Sequence, residues 1–119
     1  MKAQFKGYLA FHLNSNECLE SWAPPDPEDF EFRMDFHACP EGSNSADAFR
    51  VRVCSFNWFF REFGGQIVSA ENTILMPRYD GQELVKFIKN YCASLEGETW
   101  EALAAQLTRL GRWEFDYRL

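Results

Sequence analysis

The chain has 119 residues, 46% of them hydrophobic and 17% aromatic, with 18 acidic against 12 basic side chains and a net charge of −6. That length makes a single domain, 1–119, able to bury a core without metal or disulfide support. The acidic balance argues against a nucleic-acid binder, which needs a basic footprint, and no run approaches the ~20 apolar residues of a membrane span.

Residues 3–13 alternate as a half-buried strand, with Phe5, Leu9, Phe11 and Leu13 on one side and Gln4, Lys6, Tyr8 and His12 on the other. Lys2 and Lys6 precede only a short apolar patch broken by His12 and Asn14, which is not a secretory signal. Residues 14–29 carry three prolines in four positions and read as a stiff loop that Trp22 pins to the body. Phe30, Phe32, Met34, Phe36 and Ala38 then alternate with Glu31, Arg33, Asp35 and His37, the clearest strand in the chain. After a polar connection, Phe49, Val51 and Val53 alternate with Arg50, Arg52 and Cys54. Turning the connection about its middle sets Phe36 opposite Val51 and Asp35 opposite Arg52, an antiparallel hairpin with apolar meeting apolar.

Ser55 is placed to cap a short helix, FNWFFREF, ended by Gly64 and Gly65. Residues 66–76 read as a strand interrupted near Glu71 and Asn72. Asp80 and Glu83 open a helix with a capping-box pattern, followed by an apolar stripe through Leu84, Ile88, Tyr91, Cys92 and Leu95 and closed by Gly97. Thr99 caps a last helix bearing Trp100, Leu103, Ala104, Leu107 and Leu110. Gly111 is placed to end it as a left-handed residue, and Trp113, Phe115 and Tyr117 alternate as a short final strand. The expected fold is α+β: an antiparallel sheet of about four strands, two C-terminal helices packed on one face, and a short final strand. The other face is lined by polar residues of the strands, Tyr8, His12 and His37 among them.

No catalytic constellation emerges. His12, Cys18, His37 and Cys39 are the right types for zinc, but their spacing matches no usual site. Cys39 beside His37 lacks an orienting third group for a nucleophile. Glu31 and Asp35 have arginines around them, so cross-strand ion pairing is the simpler reading. No phosphate-binding or dinucleotide-binding glycine pattern occurs, and no cofactor is expected. The four cysteines have no paired C-x-x-C spacing, which fits a reduced cytosolic protein with Cys54 and Cys92 as small core residues.

The charge is unevenly placed. Residues 17–47 hold nine acids and one base, and the sheet face accounts for only two of those acids. The surplus lies in two loops, at Glu17, Glu20, Asp26, Glu28, Asp29, Glu41 and Asp47. Acids beside rigid prolines make a landing site for a basic protein partner, raising association rates and rejecting wrong partners. Trp22 and Trp58 are the natural anchors for such an interface if they are exposed.

Several segments carry a family resemblance: Pro27-Glu28-Asp29-Phe30 entering the second strand, Phe49-x-Val51-x-Val53-Cys54 followed by Trp58, Ile74-Leu75 with Tyr79-Asp80, and Gly97-Glu98-Thr99-Trp100 through Gly111-Arg112-Trp113-Glu114-Phe115-x-Tyr117. In this order they resemble the Immunity protein 8 family of bacterial polymorphic toxin systems. The chain departs from that pattern at CPEGSNSAD, in place of a G-P-x-G-type turn, and at SFNWFF, in place of a T-P-x-W-L-like stretch. The resemblance implies a non-enzymatic cytosolic protein that binds and neutralises a cognate toxin domain. The acidic charge suits a basic toxin, such as a nuclease. The competing reading is a cytosolic adaptor module with an unrelated partner.

Overall fold

The structure is a computed structural model that describes residues 1–116. Five strands and three helices follow one another as β1 (Ala3–Ala10), β2 (Glu31–Pro40), β3 (Asp47–Ser55), α1 (Phe56–Phe63), β4 (Thr73–Met76), α2 (Gly81–Ala93), α3 (Trp100–Leu107) and β5 (Arg112–Trp113). The sheet order is β1-β2-β3-β4, with β5 also on β3. The α+β class holds, but the sheet is mixed: β1–β2–β3 and β5 run antiparallel to their neighbours, whereas β4 is parallel to β3. The reason lies in the connection. Between β3 and β4 the chain passes through α1 and a further stretch of coil, long enough to return β4 in the same direction.

Alternation places the core correctly on β2 and β3. Phe32, Met34, Phe36 and Ala38 meet Phe49, Val51 and Val53, all buried. The hairpin register differs from the expected one by two residues: Asp35 faces Arg50, and Phe36 faces Phe49. A two-residue slip preserves the faces, since side chains alternate with period 2. β1 departs further. Its pairing shifts between Phe5 and Tyr8, where Gly7 has φ 108°. This bulge inserts one residue and reverses the alternation. Ala3 and Phe5 face the core before it, Tyr8 and Ala10 after it, and Leu9 and Phe11 are left exposed.

The expected caps are present. Asp80 accepts from the Glu83 amide, and Thr99 from the Ala102 amide. Leu84, Ile88 and Cys92 of α2 and Leu103, Ala104 and Leu107 of α3 cover the same sheet face. Gly111 does something other than end a helix. α3 stops at Leu107, and a Cβ on Gly111 would lie 2.6 Å from the Phe36 ring, so glycine is needed for close approach. β4 begins only at Thr73, after Asn72 at φ 50° breaks the preceding stretch. The final strand is two residues long, with Phe115 in a turn, and the expected continuation through Tyr117 lies outside the described residues. No helix among the described residues is long and apolar enough to cross a membrane.

Candidate partner-binding surface

The first acidic loop is irregular but tightly held. Leu19 is fully buried; its amide donates to Tyr8 Oη at 2.9 Å, and its carbonyl accepts from Tyr79 Oη at 2.7 Å. Tyr8 in turn donates to Glu20 Oε1 at 2.8 Å. Burial raises both tyrosine pKa values, so both hydroxyls remain donors throughout the physiological range. Trp22 is half-buried and edge-on to Tyr79 and Phe32, with ring centroids 5.1 and 5.7 Å apart. It therefore pins the loop, as its sequence position implies. Asp26 Oδ1 accepts from the Glu28 amide, and the Tyr79 amide donates to the Pro27 carbonyl. Asp29 is ion-paired with Arg61 of α1, and Glu28 lies 3.9 Å from Arg78. Glu17 accepts from the Asn14 amide. Glu17, Glu20, Asp26 and Glu28 thus stand exposed on a braced backbone.

Glu41 and Asp47 are not part of that group. They lie at the other end of β2, Glu41 just after it and Asp47 opposite Ala38, and the ten residues of that strand span roughly 30 Å at about 3.3 Å each. Glu41 is exposed. Asp47 is engaged internally: its Oδ2 accepts from the indole N–H groups of Trp100 and Trp113, at 2.8 and 2.9 Å.

Beside the first loop stands α1. The Ser55 hydroxyl accepts from the Trp58 amide as an N-cap and from the Phe30 amide, joining helix and β2 at one oxygen. Five of its eight residues are aromatic, yet none is buried. Phe56, Phe59, Phe60 and Phe63 fall at i, i+3, i+4 and i+7, a continuous apolar stripe. Phe60 is 77% exposed and Phe56 51%. Just beyond, Ile67 is fully exposed and Val68 partly so. Trp58 is half-buried, with the Arg52 guanidinium 5.4 Å from its ring. Trp58 drew attention in the sequence; the phenylalanine stripe around it, legible from its spacing, is the larger feature.

On its inner side α1 walls a groove of about 500 Å³ with Phe59 and Phe63, against Arg33, Arg50, Arg52 and Arg112 of the outer sheet face. The cross-strand ion pairs expected there exist, re-partnered by the register. Arg50 Nε lies 2.9 Å from Asp35, and Arg52 Nε 3.2 Å from Glu31. The second pair is close but off the hydrogen-bond direction, which leaves the buried Arg52 Nε unsatisfied. Among the described residues no group of three His, Cys, Asp or Glu is placed to hold a metal. Cys39, Cys54 and Cys92 are buried, and burial pushes the thiols of the last two up to about 11, far from thiolate chemistry.

The described residues thus form a small α+β protein whose mixed sheet carries exposed acids and uncovered aromatics at one end. The chain belongs to the Immunity protein 8 family, whose family model matches residues 10–117. No curated protein and no solved structure matches the chain.

Proposed function

We propose that this protein is a cytoplasmic immunity protein that binds a cognate bacterial toxin domain and neutralises it by occluding the toxin's active site or another essential surface, without chemistry of its own. The family match over residues 10–117 carries this reading. In it the whole chain acts as one immunity domain of a polymorphic toxin system, protecting its producer in bacterial competition. The toxin is a basic protein, a nuclease being the natural kind for an acidic inhibitor.

The contact residues in this proposal are Glu17, Glu20, Asp26, Glu28, Asp29 and Trp22 of the first loop, with Glu41 and Asp47 at the far hairpin. What supports the first group is its bracing: acids on an already ordered backbone cost less to immobilise on binding. Glu41 and Asp47 add to the long-range field.

Co-expression with the toxin domain encoded next to this chain tests the role. Rescue of growth with a complex that co-purifies is the expected result; toxicity despite good expression of both would refute it. The charge component is tested by Glu17→Gln, Asp26→Asn and Glu28→Gln together, which leave the Asp29–Arg61 pair intact. Association should slow and its salt dependence flatten.

A further inference from the structure

We propose that the apolar stripe of α1, led by Phe56 and Phe60, is the anchor that enters the partner, and that its occupant is an apolar pocket on the cognate toxin domain rimmed by basic groups. This rests on the immunity reading above.

Trp58, Phe59 and Phe63 are half-buried on the inner side of the helix, but packing does not account for Phe56 and Phe60. None of its residues is buried, and the two most exposed rings sit one turn apart on one face. An aromatic ring removes about 150–250 Å² from water when buried, the largest apolar contribution a single residue can make. Here that contribution is withheld from folding. Uncovered apolar patches of this kind mark interaction sites on soluble domains.

The stripe is also rigidly framed. Ser55 holds the helix start to Phe30, Asp29 holds Arg61, and Arg52 lies over Trp58 and Phe63 at 5.4 and 5.7 Å. Rings presented on a fixed scaffold bind without a large ordering cost.

Charge selects the occupant. Beside the stripe Asp29 and Glu62 share Arg61 of the same helix, and the loop that carries Asp29 adds the exposed Glu17, Glu20, Asp26 and Glu28, so the surroundings on that side are acidic. A second copy of this chain would bring the same acids, and a further net −6, against them. A cationic rim around an apolar pocket meets both features. Fully desolvated aromatic anchors ringed by contacts that exclude water, with a polar rim outside them, are the usual anatomy of an interface hot spot.

The test compares wild type with Phe56→Ala and Phe60→Ala, singly and together, against the toxin domain encoded beside this chain. Both rings are exposed, so thermal unfolding of each variant should match wild type and confirm the fold. Each truncation should weaken binding about 30-fold, chiefly through faster dissociation, and the double variant should lose protection in co-expression. Wild-type affinity and protection in the double variant would overturn this inference alone. A wild-type protein that neither binds nor protects would overturn it together with the immunity reading. Sedimentation without toxin covers the remaining occupant: a wild-type dimer that Phe60→Ala dissociates, with toxin binding unchanged, would assign the stripe to self-association.

Discussion

Residues 14–29 and α1 lie side by side and reverse the usual relation between regular structure and burial. The loop has no helix or strand, yet it sends Leu19 fully into the core and is tied by two tyrosine hydroxyls, a half-buried tryptophan and its own turns. α1 has complete helical geometry and a hydroxyl cap, yet none of its residues is fully buried and Phe56 and Phe60 stay exposed. Secondary structure satisfies backbone groups locally; it does not say where apolar surface goes. The loop is held because its backbone groups and one leucine find partners on β1 and α2's approach. The helix is held by its N-cap, by Arg61 on Asp29 and by Arg52 against Trp58 and Phe63, and leaves Phe56 and Phe60 available.

The sharpest way to break the comparison is to truncate one apolar residue from each. Leu19→Ala should cost about 2–5 kcal/mol, through lost burial and the cavity left in the core cluster to which this fully buried side chain belongs. Phe60→Ala, although it removes a larger group from a regular helix, should stay within about 0.5 kcal/mol of wild type. Urea denaturation of the two variants checks both. Equal costs would mean that loop and helix contribute alike and that the contrast in burial has no energetic meaning.

The next effect separates the loop's leucine from its hydrogen bonds. Tyr79→Phe keeps the ring that packs on Trp22 and Phe30 but leaves the buried Leu19 carbonyl without its donor. The expected loss is about 1–3 kcal/mol, the cost of a buried unsatisfied acceptor. Ser55→Ala follows at about 1–2 kcal/mol, because one oxygen serves both the α1 cap and the Phe30 amide. Its effect should appear on the α1 side: faster amide exchange at Trp58, with Leu19 protected as before. Loss of protection at both would merge the two regions into one cooperative unit.

How much of this was legible follows from the kind of signal each element carries. The faces of β2 and β3 could be read because strict alternation survives a register slip of two residues. β1 could not be read past Gly7: a bulge leaves the residue pattern unchanged while exchanging its faces, so Leu9 is exposed where alternation buried it. The parallel β4 was hidden because pairing direction depends on where α1 sends the chain. For the surface, the acidic surplus and its division between the loops before and after β2 were plain from residue counts, but the internal role of Asp47 was not. Asp47's engagement with two indoles joins residues 53 and 66 positions apart. The α1 stripe was visible as spacing, but a stripe is the same pattern whether a core covers it or a partner does.

The smallest effect probes the loop from its N-terminal side. The His12 ring lies 4.2 Å from Phe32 and 4.4 Å from Trp22, and this apolar screening lowers its pKa, against a weaker upward pull from Glu17. Unfolded, the imidazole titrates near 6.5; folded, it titrates lower, so on acidification the unfolded chain takes the proton first. Stability from this residue is therefore present above about pH 6.5, falls as pH drops through that value, and levels off below the folded pKa. Unfolding free energies at pH 7.5 and 5, compared between wild type and His12→Asn, isolate this residue from the carboxylates that titrate in both. Wild type should lose more stability than the variant over that interval, with Trp22 fluorescence changing in step because the charged ring no longer suits its aromatic neighbours. Identical losses would mean that water reaches the imidazole freely. The entry to the loop would then be held by Trp22 and Leu19 alone, and acid could not loosen the surface that carries Glu17 and Glu20.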